Sequence, residues 1–237
     1  MNIRKEKEKM VLGIISALNI EIDALIEKMK NVETEEISGI KYYNGSINNS
    51  KIIAAVCGVG KVNSAVCAQI MIMKYSPEYL INIGVAGGVA PEINIRDIVV
   101  ADFVVQHDMD TTAFGAPLGL IPKIDMVKIP CSEKLNNLLL SAANNQDNQD
   151  NIKIGIIASG DKFVNGQEDI SFIVDNFNAS AVDMESGSIG QVCYINKTEF
   201  TAIRSISDNA DEDSHIVFDE NAEKSAQTAI DLLLKIL

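Results

Sequence analysis

Histidine and paired cysteine are scarce in this 237-residue sequence, and their scarcity limits the metal chemistry that it can support. A structural zinc site needs clustered cysteine and histidine ligands. The chain has two histidines, far apart, and four cysteines with no CxxC spacing: His107, His215, Cys57, Cys67, Cys131 and Cys193. We therefore expect no zinc site. Because the cysteines lie in mostly apolar contexts, we interpret them as reduced, buried and structural, as is typical of a cytoplasmic protein.

Long apolar runs and positive charge are also in short supply. No run reaches the roughly 20 residues that a membrane-spanning helix needs. Residues 1–10 are charged and lack the apolar core of a secretory signal, so we expect a solvated tail on a cytoplasmic protein. Lys and Arg number 20 against 33 Asp and Glu, a net charge of −13. This excess of negative charge disfavours nucleic acid and anionic membranes as partners.

The remaining composition, 47% hydrophobic, is typical of a globular enzyme. Short apolar runs predict strands at residues 11–15, 41–47, 51–57, 79–83, 98–105, 152–158, 179–184 and 200–206. Helical spacing of apolar residues predicts helices at residues 20–30, 62–74, 132–143 and 219–237. Residues 106–123 are predicted as a long functional or interface loop, and residues 144–151 as a polar surface connection. The alternation of strands and helices predicts an α/β fold with a mixed, mainly parallel central sheet.

Candidate site segments, four with charged side chains and one rich in glycine, follow five of the predicted strands. The segments are Glu21, residues 84–88, residues 161–164, residues 183–185 and residues 204–208. In parallel α/β sheets ligands bind beyond the carboxyl ends of the strands, so we expect these segments to converge on one site.

The predicted site is rich in carboxylates, which suits reactions that develop positive charge, such as glycosidic cleavage. Arg204 lies within an apolar strand, where it is costly unless it is paired or contacts a ligand. We take Asp208, at the end of that strand, as the reactive group. To act as an acid near neutrality, its pKa must rise about three units above ~3.9, which corresponds to roughly 4 kcal/mol.

Residues 58–61, Gly-Val-Gly-Lys, resemble a phosphate-binding loop only superficially. Ala55 stands in the place of the first Walker glycine and Val62 in that of the Ser/Thr, and Asn63 breaks the dinucleotide pattern. A tight strand-to-helix turn is the better interpretation, and it leaves Val59 free to line a pocket.

Seven segments, in order along nearly the whole chain, are similar to one family. They are GIISALNIEI from Gly13, CGVGKVNSA from Cys57, INIGVAGGVAP from Ile81, DIVVADFVVQHDMDTTAFG from Asp97, SGDKFV from Ser159, AVDMESGSI from Ala181 and AIRSISDNADEDSHIVFDE from Ala202. The chain resembles the 5'-methylthioadenosine/S-adenosylhomocysteine nucleosidases of the nucleoside phosphorylase superfamily. The resemblance implies a single catalytic domain, residues 11–237, folded as a three-layer sandwich. It also implies a homodimer that binds adenine nucleosides and needs no metal or cofactor.

The resemblance assigns roles to residues by position. Glu21 is expected to orient or deprotonate the attacking water, and Asp208, supported by Ser207, to protonate N7 of the adenine. Glu185 is expected to bind the ribose hydroxyls, and Arg204 to lie near the water and the sugar. The other expected substrate contacts are Met184 beneath the sugar, Phe163 and Val164 at the adenine, Leu18, Val59 and Phe218 at the 5'-alkylthio group, and Phe114 and Pro122 reaching in from a neighbouring subunit.

Two departures from the family pattern affect the expected pocket. Val85 stands where better-known members carry a serine near the water or the sugar, so one hydroxyl contact is missing. Ala116 and Pro117 replace a more aromatic and acidic sequence after Phe-Gly, which predicts a wider or differently closed 5' pocket.

Hydrolysis of these nucleosides would serve methionine salvage. Three other functions compete with this interpretation. A purine nucleoside phosphorylase of the same fold needs cations for phosphate, and the loop after the first strand offers Asn19 and Glu21 instead. Other N-ribosyl hydrolases, acting on AMP or futalosine-like nucleosides, remain open. A nucleoside-binding protein without catalysis predicts a lost acid, whereas Glu21, Glu185 and Asp208 are all present.

Overall fold

A computed structural model describes residues 10–143, 151–211 and 213–237. The predicted tail lies outside these residues except for Met10, whose carbonyl oxygen accepts a hydrogen bond from the backbone N–H of Lys51. Of the predicted connection at residues 144–151, the described residues include only Asn151. Glu212 also lies outside the described residues.

The described residues form ten strands, six α-helices and two short 3-10 helices. The strands are β1 (Val11–Ser16), β2 (Lys30–Ile37), β3 (Ile40–Ile47), β4 (Ser50–Val56), β5 (Tyr79–Gly88), β6 (Ile98–Gln106), β7 (Ile129–Pro130), β8 (Ile152–Ser159), β9 (Ala179–Asp183) and β10 (Glu199–Asp208). The helices are α1 (Asp23–Ile26), α2 (Lys61–Tyr75), α3 (Glu133–Ala143), α4 (Gln167–Phe177), α5 (Ser186–Asn196) and α6 (Ser214–Leu234). The 3-10 helices are Asn19–Glu21 and Thr112–Phe114.

All the strands belong to one sheet, in the order β10-β6-β8-β9-β5-β1-β4-β3-β2, with β7 paired to β6. Strand β10 also pairs with β5, so that five strands close into a ring. Parallel pairings join β1 to β4 and β5, β10 to β5, and β8 to β6 and β9. The other five are antiparallel. The sheet is mixed, as predicted, but parallel and antiparallel pairings are equally frequent within the described residues. The reason is that the β2–β3–β4 meander and the five-strand ring both contain antiparallel neighbours.

Helices cover both faces of the sheet, because its strands are apolar on both faces. Adjacent side chains in a strand point to opposite faces of the sheet. Ile14 and Ile81 accordingly belong to one core cluster, and their neighbours Ile15 and Leu80 to the other. Helices α1, α3 and α6 pack in one cluster, and α2 and α5 in the other. Helix α4 packs on β8 and β9 in a third cluster. The central sheet with helices on both sides confirms the predicted fold class.

The region after β1 differs from its predicted helix. Residues 20–30 form a 3-10 turn, the four-residue α1 and the start of β2. The Glu21 side chain turns back and accepts hydrogen bonds from the backbone N–H groups of Ala17 and Leu18. The first turn of the predicted helix is therefore a 3-10 turn that holds this carboxylate. Strand β2 was not predicted because residues 30–36 are exposed and mostly charged, so the edge strand lacks apolar alternation.

Other boundaries also moved. Helix α6 begins at Ser214, ahead of the predicted start at residue 219, so Phe218 lies on a helix. Helix α4 was missed, and α5 begins at Ser186, directly after the predicted segment at residues 183–185. The predicted loop at residues 106–123 contains one 3-10 turn, Thr112–Phe114. None of the helices in the described part of the chain combines the length and apolarity that crossing a membrane requires.

Candidate active site

A cavity of about 290 Å³ lies where the five predicted segments meet. Eleven of the fourteen predicted site residues line it: Leu18, Glu21, Val59, Val85, Phe163, Val164, Met184, Glu185, Ser207, Asp208 and Phe218. It is also lined by Ala17, Ala86, Gly87, Lys162, Val182 and Asp183. Arg204 lies behind the wall, and Phe114 and Pro122 are exposed elsewhere on the chain. The convergence expected from the sequence is therefore present for most of the residues.

The segments converge for two reasons. Strands β1, β5 and β10 are parallel, so Glu21, Val85 and Asp208 follow or occupy their carboxyl-terminal ends on the same side. Strand β9 runs antiparallel to β5 and pairs with it only at Gly87 and Gly88. The carboxyl end of β9 reaches the cavity because β9 pairs with the last two residues of the ten-residue β5. The sequence did not predict this antiparallel pairing.

The Glu21 carboxylate is held by three backbone N–H groups. Its Oε2 atom accepts hydrogen bonds from Ala17 at 2.9 Å and Leu18 at 2.8 Å, and its Oε1 atom accepts one from Val85 at 2.9 Å. Burial raises the pKa of Glu21 above its ordinary value, and the charge of Arg204 and these N–H groups oppose part of the rise. The result is a fixed, buried carboxyl group with a strengthened affinity for a proton.

Gly84 makes room for the contact between Glu21 and Arg204. A Cβ atom on Gly84 would overlap both the Arg204 Nη1 atom and the Glu21 Oε1 atom. Those two atoms are 4.0 Å apart. Any larger residue at this position of β5 would push the two side chains away from their present positions.

Arg204 is fully buried and is surrounded by acceptors. Its Nε and Nη2 atoms donate to the same Asp183 oxygen at 2.9 and 2.6 Å, and Nη2 donates to Asn82 Oδ1 at 2.5 Å. Glu185 Oε2 lies 3.4 Å from Nη2. The Nη1 atom has no hydrogen-bond partner within the described residues. A buried cation with several carboxylate partners fixes the geometry of this wall of the cavity.

Glu185 is the residue before α5, and the other side of its carboxylate meets the loop before α2. Its Oε1 atom accepts the backbone N–H of Gly60 at 2.9 Å. Burial raises the pKa of Glu185 to about 7, with the charge of Arg204 opposing the rise and that of Asp183 adding to it. Glu185 is therefore held between the cavity, Arg204 and residue 60, in a position to bind hydroxyl groups of a ligand.

Asp208 lies at the end of β10, where it is buried and forms no ion pair with any of the described residues. Its Oδ2 atom accepts a hydrogen bond from the Ser207 hydroxyl at 2.8 Å, and its Oδ1 atom accepts the N–H of Ala210 at 2.9 Å. Burial raises the pKa of Asp208 above its ordinary value, and these two hydrogen bonds oppose part of the rise. No arginine charge counteracts the effect of burial here, in contrast to Glu21.

Apart from Lys162, the rest of the cavity lining is apolar. Phe163 and Phe218 meet edge to face, with ring centroids 6.4 Å apart, and Val164 is buried beside them. Val59 is 45% exposed although it lines the cavity, so this side is open to solvent in a single chain. An apolar slot with carboxyl groups at fixed points suits a flat, largely neutral ligand with a few polar groups.

Sequence reasoning missed the residues that support the site. Asp183 was noted as an acid at a strand end without a role, and it is the main partner of Arg204. Asn82 was not noted, and it joins β1 to Arg204 by donating to the Ile15 carbonyl oxygen at 2.9 Å. Its polar side chain within the apolar run at residues 79–83 was the available signal, because a buried amide needs partners.

The described residues contain no group of three or more His, Cys, Asp and Glu side chains arranged for a metal ion. All four cysteines are free. The carboxylates of the cavity are instead engaged by Arg204, by hydroxyl groups and by backbone N–H groups.

Comparisons with known proteins match the whole described fold. The family model of the phosphorylase superfamily matches residues 11–237. The 5'-methylthioadenosine/S-adenosylhomocysteine nucleosidase of Haemophilus ducreyi is 39% identical over 230 residues, covering 95% of this chain and 98% of that protein. The aminodeoxyfutalosine nucleosidase of Helicobacter pylori is 41% identical over 224 residues, covering 94% and 95%.

Solved structures match as closely. The S-adenosylhomocysteine nucleosidase of Streptococcus pyogenes in complex with 5-methylthiotubericidin superposes with a TM-score of 0.93 at 31% sequence identity. The match covers 98% of this chain and 97% of that one. The similarity therefore extends over sequence and architecture alike.

Replacing Arg204 tests the charge balance of the buried wall. Arg204→Met leaves three buried carboxylates without their cation, and we expect the free energy of unfolding at pH 7 to fall by about 3–5 kcal/mol. The Arg204 charge opposes the rise of the pKa at Glu21 and Glu185, so its loss should move their folded-state pKa values further above the unfolded ones. The deficit should therefore shrink as the pH is lowered from 8 to 5, measured by urea unfolding. Arg204→Lys keeps the charge and should lose less; a deficit independent of pH would contradict this account.

Proposed function

The chain belongs to the phosphorylase superfamily, and from that membership we propose that it is an N-glycosyl hydrolase with residues 11–237 as its catalytic domain. Its substrates are 5'-methylthioadenosine and S-adenosylhomocysteine, the nucleosides for which several relatives are named. The products are adenine and the corresponding thioribose. We place the reaction in the cytoplasm, in methionine salvage, with no cofactor.

One observation carries the proposal: two buried carboxyl groups with raised pKa values, Glu21 and Asp208, line the same apolar cavity in different surroundings. Cleavage of an N-glycosidic bond needs an acid for the leaving purine and a base for water. Two carboxyl groups that differ in their environment can take these two parts. The arrangement supports Asp208 as the acid and Glu21 as the base.

At the purine, protonated Asp208 gives its proton to N7 while the bond between C1' and N9 breaks. The Ser207 hydroxyl lies within reach of Asp208 Oδ2, at 2.8 Å, and of the Ala86 carbonyl oxygen, at 3.3 Å. It can donate to Ala86 while Asp208 holds its proton, and turn to donate to the carboxylate that forms. Phe163 stacks on the adenine, and the backbone of Val164 contacts its polar edge.

At the sugar, Glu21 accepts a proton from water as the water oxygen bonds to C1'. Three N–H groups already occupy most of the acceptor positions of Glu21, which leaves a single direction open for the water. Glu185 binds the ribose hydroxyls, and Met184 packs beneath the ring. Arg204 acts from behind the wall by holding the carboxylates in place. Val85 presents an apolar side chain at the position where the family resemblance implies a serine hydroxyl.

Phosphate is a poor fit as the nucleophile. The cavity lining includes one cation, Lys162, and its Nζ atom is paired with Asp169 at 2.7 Å. Arg204 is already surrounded by Asp183, Glu185 and Glu21. Phosphate binding relies on several available cations, and the carboxylates here would repel it. Water therefore fits this site better, which favours a hydrolase over a phosphorylase.

A second substrate class is favoured by one comparison. The aminodeoxyfutalosine nucleosidase of Helicobacter pylori is 41% identical, slightly above the 39% of the Haemophilus ducreyi relative. Its name implies the same bond cleavage with a different 5' substituent. Leu18, Val59 and Phe218 form only part of the wall around that substituent, so both substrate classes belong in the first assay.

We further propose that two copies of the chain pair, with Phe114 and Pro122 of one completing the 5' pocket of the other. Phe114 is 92% exposed, which is unusual for so large an apolar side chain. Helix α2 exposes Val62 and Met73 by 73% and 76%. An exposed apolar face of this kind is typical of a protein–protein interface.

The activity is tested by incubating the protein with methylthioadenosine, with and without phosphate. We expect adenine release at the same rate in both, and methylthioribose as the sugar product. A strict requirement for phosphate, or methylthioribose 1-phosphate as product, would contradict the hydrolase. Parallel incubations with S-adenosylhomocysteine and aminodeoxyfutalosine rank the substrate classes. Binding without turnover of any nucleoside would favour the non-catalytic alternative.

The acid is tested by Asp208→Asn. Loss of general acid catalysis should lower kcat/KM at least ~10²-fold. In the unsubstituted enzyme Asp208 must be protonated and Glu21 ionised, so kcat/KM should fall at high pH and at low pH. Asparagine does not titrate, so the variant should lose the high-pH decline and keep the low-pH one. Asp175→Asn, on the exposed side of α4, is the matched control and should remain within 2-fold of normal, roughly the scatter of neutral surface changes.

The shared site is tested by combining two variants in one dimer. Phe114→Ala should raise KM, whereas Phe172→Ala, also an exposed phenylalanine, should not. In a mixed dimer of Asp208→Asn and Phe114→Ala chains, one site carries both changes and the other carries neither. Coexpression should therefore restore a low-KM activity that neither variant has alone. Failure to restore it would argue against a site completed by the neighbouring copy.

A further inference from the structure

A hydrogen-bonded ring of Lys61, Asp108 and Asp161 lies just outside the cavity. The backbone N–H of Lys61 donates to Asp161 Oδ1 at 2.8 Å. The backbone N–H of Asp161 donates to Asp108 Oδ2 at 3.0 Å. The Lys61 ammonium donates to Asp108 Oδ1 at 2.6 Å, which closes the ring. Each residue thus bonds to both of the others.

The ring joins two segments of the site to a third segment of the chain. Lys61 begins α2 and directly follows Gly60, whose N–H binds the Glu185 carboxylate. Asp161 opens the segment that carries Phe163 and Val164 into the cavity. Asp108 follows β6 and leads into the segment that carries the exposed Phe114. The Gly60 and Phe163 segments of the site are therefore connected to each other and to the end of β6 through these three residues.

The backbone at Gly60 is shaped to fit this arrangement. Gly60 has φ of 99°, in the region that favours glycine. A Cβ atom there would approach Asp161 Oδ1 to 3.1 Å. Two consecutive backbone N–H groups are therefore bound by carboxylates: that of Gly60 by Glu185, and that of Lys61 by Asp161.

Folding stability explains the ring only in part. The side chains of Lys61 and Asp108 are 19% and 30% exposed, so solvent partly screens this ion pair and its contribution to stability is modest. A phosphate loop does not explain the ring, because the Lys61 ammonium is already engaged by Asp108 and by Gln106 Oε1 at 3.3 Å. What the ring does fix is the relative position of the segments that hold Glu185 and Phe163.

We propose that Lys61, Asp108 and Asp161 are positioning residues that set the geometry of Glu185 through the backbone of Gly60. The kinetic consequence rests on the proposed function, in which Glu185 binds the ribose hydroxyls. A misplacement of about 1 Å can cost roughly 10²-fold in rate, so a weakened ring should be visible in kcat/KM without unfolding the protein.

The test exploits a difference between the two aspartates. Asp161 uses one side-chain oxygen as an acceptor, so Asp161→Asn keeps the bond to the Lys61 N–H, whereas Asp161→Ala removes it. Asp108 uses both side-chain oxygens, one for the Lys61 ammonium and one for the Asp161 N–H. In either orientation of the amide, Asp108→Asn points its NH₂ group at one of these donors and loses that hydrogen bond. Asparagine should therefore be tolerated at position 161 and not at position 108.

Kinetics with methylthioadenosine give the first readout. We expect kcat/KM to fall roughly 10-fold for Asp161→Ala and Asp108→Asn, and to stay within about 3-fold for Asp161→Asn. With a 2',3'-dideoxy analogue, which offers Glu185 no hydroxyl group, the loss for Asp161→Ala should shrink to about 2-fold. Equal losses for both substrates, or equal effects of alanine and asparagine at position 161, would overturn the proposal.

Amide hydrogen exchange gives a readout that does not need activity. Exchange at the Lys61 N–H should accelerate in Asp161→Ala and remain slow in Asp161→Asn. Unchanged exchange in Asp161→Ala would overturn the ring as a constraint on this segment. If the unsubstituted protein released adenine from none of the nucleosides, the proposed function would fail, and the exchange measurement would still decide whether the ring constrains the segment at Lys61.

Discussion

A buried guanidinium group organises the site. Removing a cation from water costs several kcal/mol, and Arg204 is fully buried in the middle of an apolar strand. Its partners are brought from three other parts of the chain: Asn82 on β5, Asp183 at the end of β9, and Glu21 after β1. Because the cation must be paired in that position, the strands that deliver these partners are held in one register. Gly84 is the complementary constraint, since only a residue without a Cβ leaves space for the contact.

The same cation gives the two carboxyl groups of the proposed reaction different surroundings. Burial raises the pKa of both Glu21 and Asp208, but Arg204 and three backbone N–H groups oppose the rise at Glu21. At Asp208 the opposing groups are one hydroxyl and one N–H, with no arginine. The residue nearer the cation is better suited to be ionised and accept a proton, and the residue remote from it to retain one. In the proposed mechanism, position relative to Arg204 therefore distinguishes the base from the acid.

The fold was predictable where the chemical pattern is local. Buried strands such as β1, β5 and β10 are continuous apolar runs, and α2 and α3 follow helical spacing, so their positions were predicted closely. Strand β2 was missed because a charged edge strand has no apolar alternation, and its conformation comes from pairing with β3. The helix predicted at residues 20–30 was wrong because Glu21 bonds back to residues 17 and 18 and the chain then enters that pairing.

The sequence by itself determined which residue types follow each strand, and eleven of the fourteen predicted site residues line the cavity. Only the tertiary structure decided what each carboxylate touches. Glu21 binds the N–H of Val85, 64 residues away, and Arg204 binds Asn82, 122 residues away. It also brought Asp183 to Arg204, although β9 runs antiparallel to β5. The physical reason is that pKa, pairing and orientation depend on burial and on long-range contacts, which spacing along the chain does not encode.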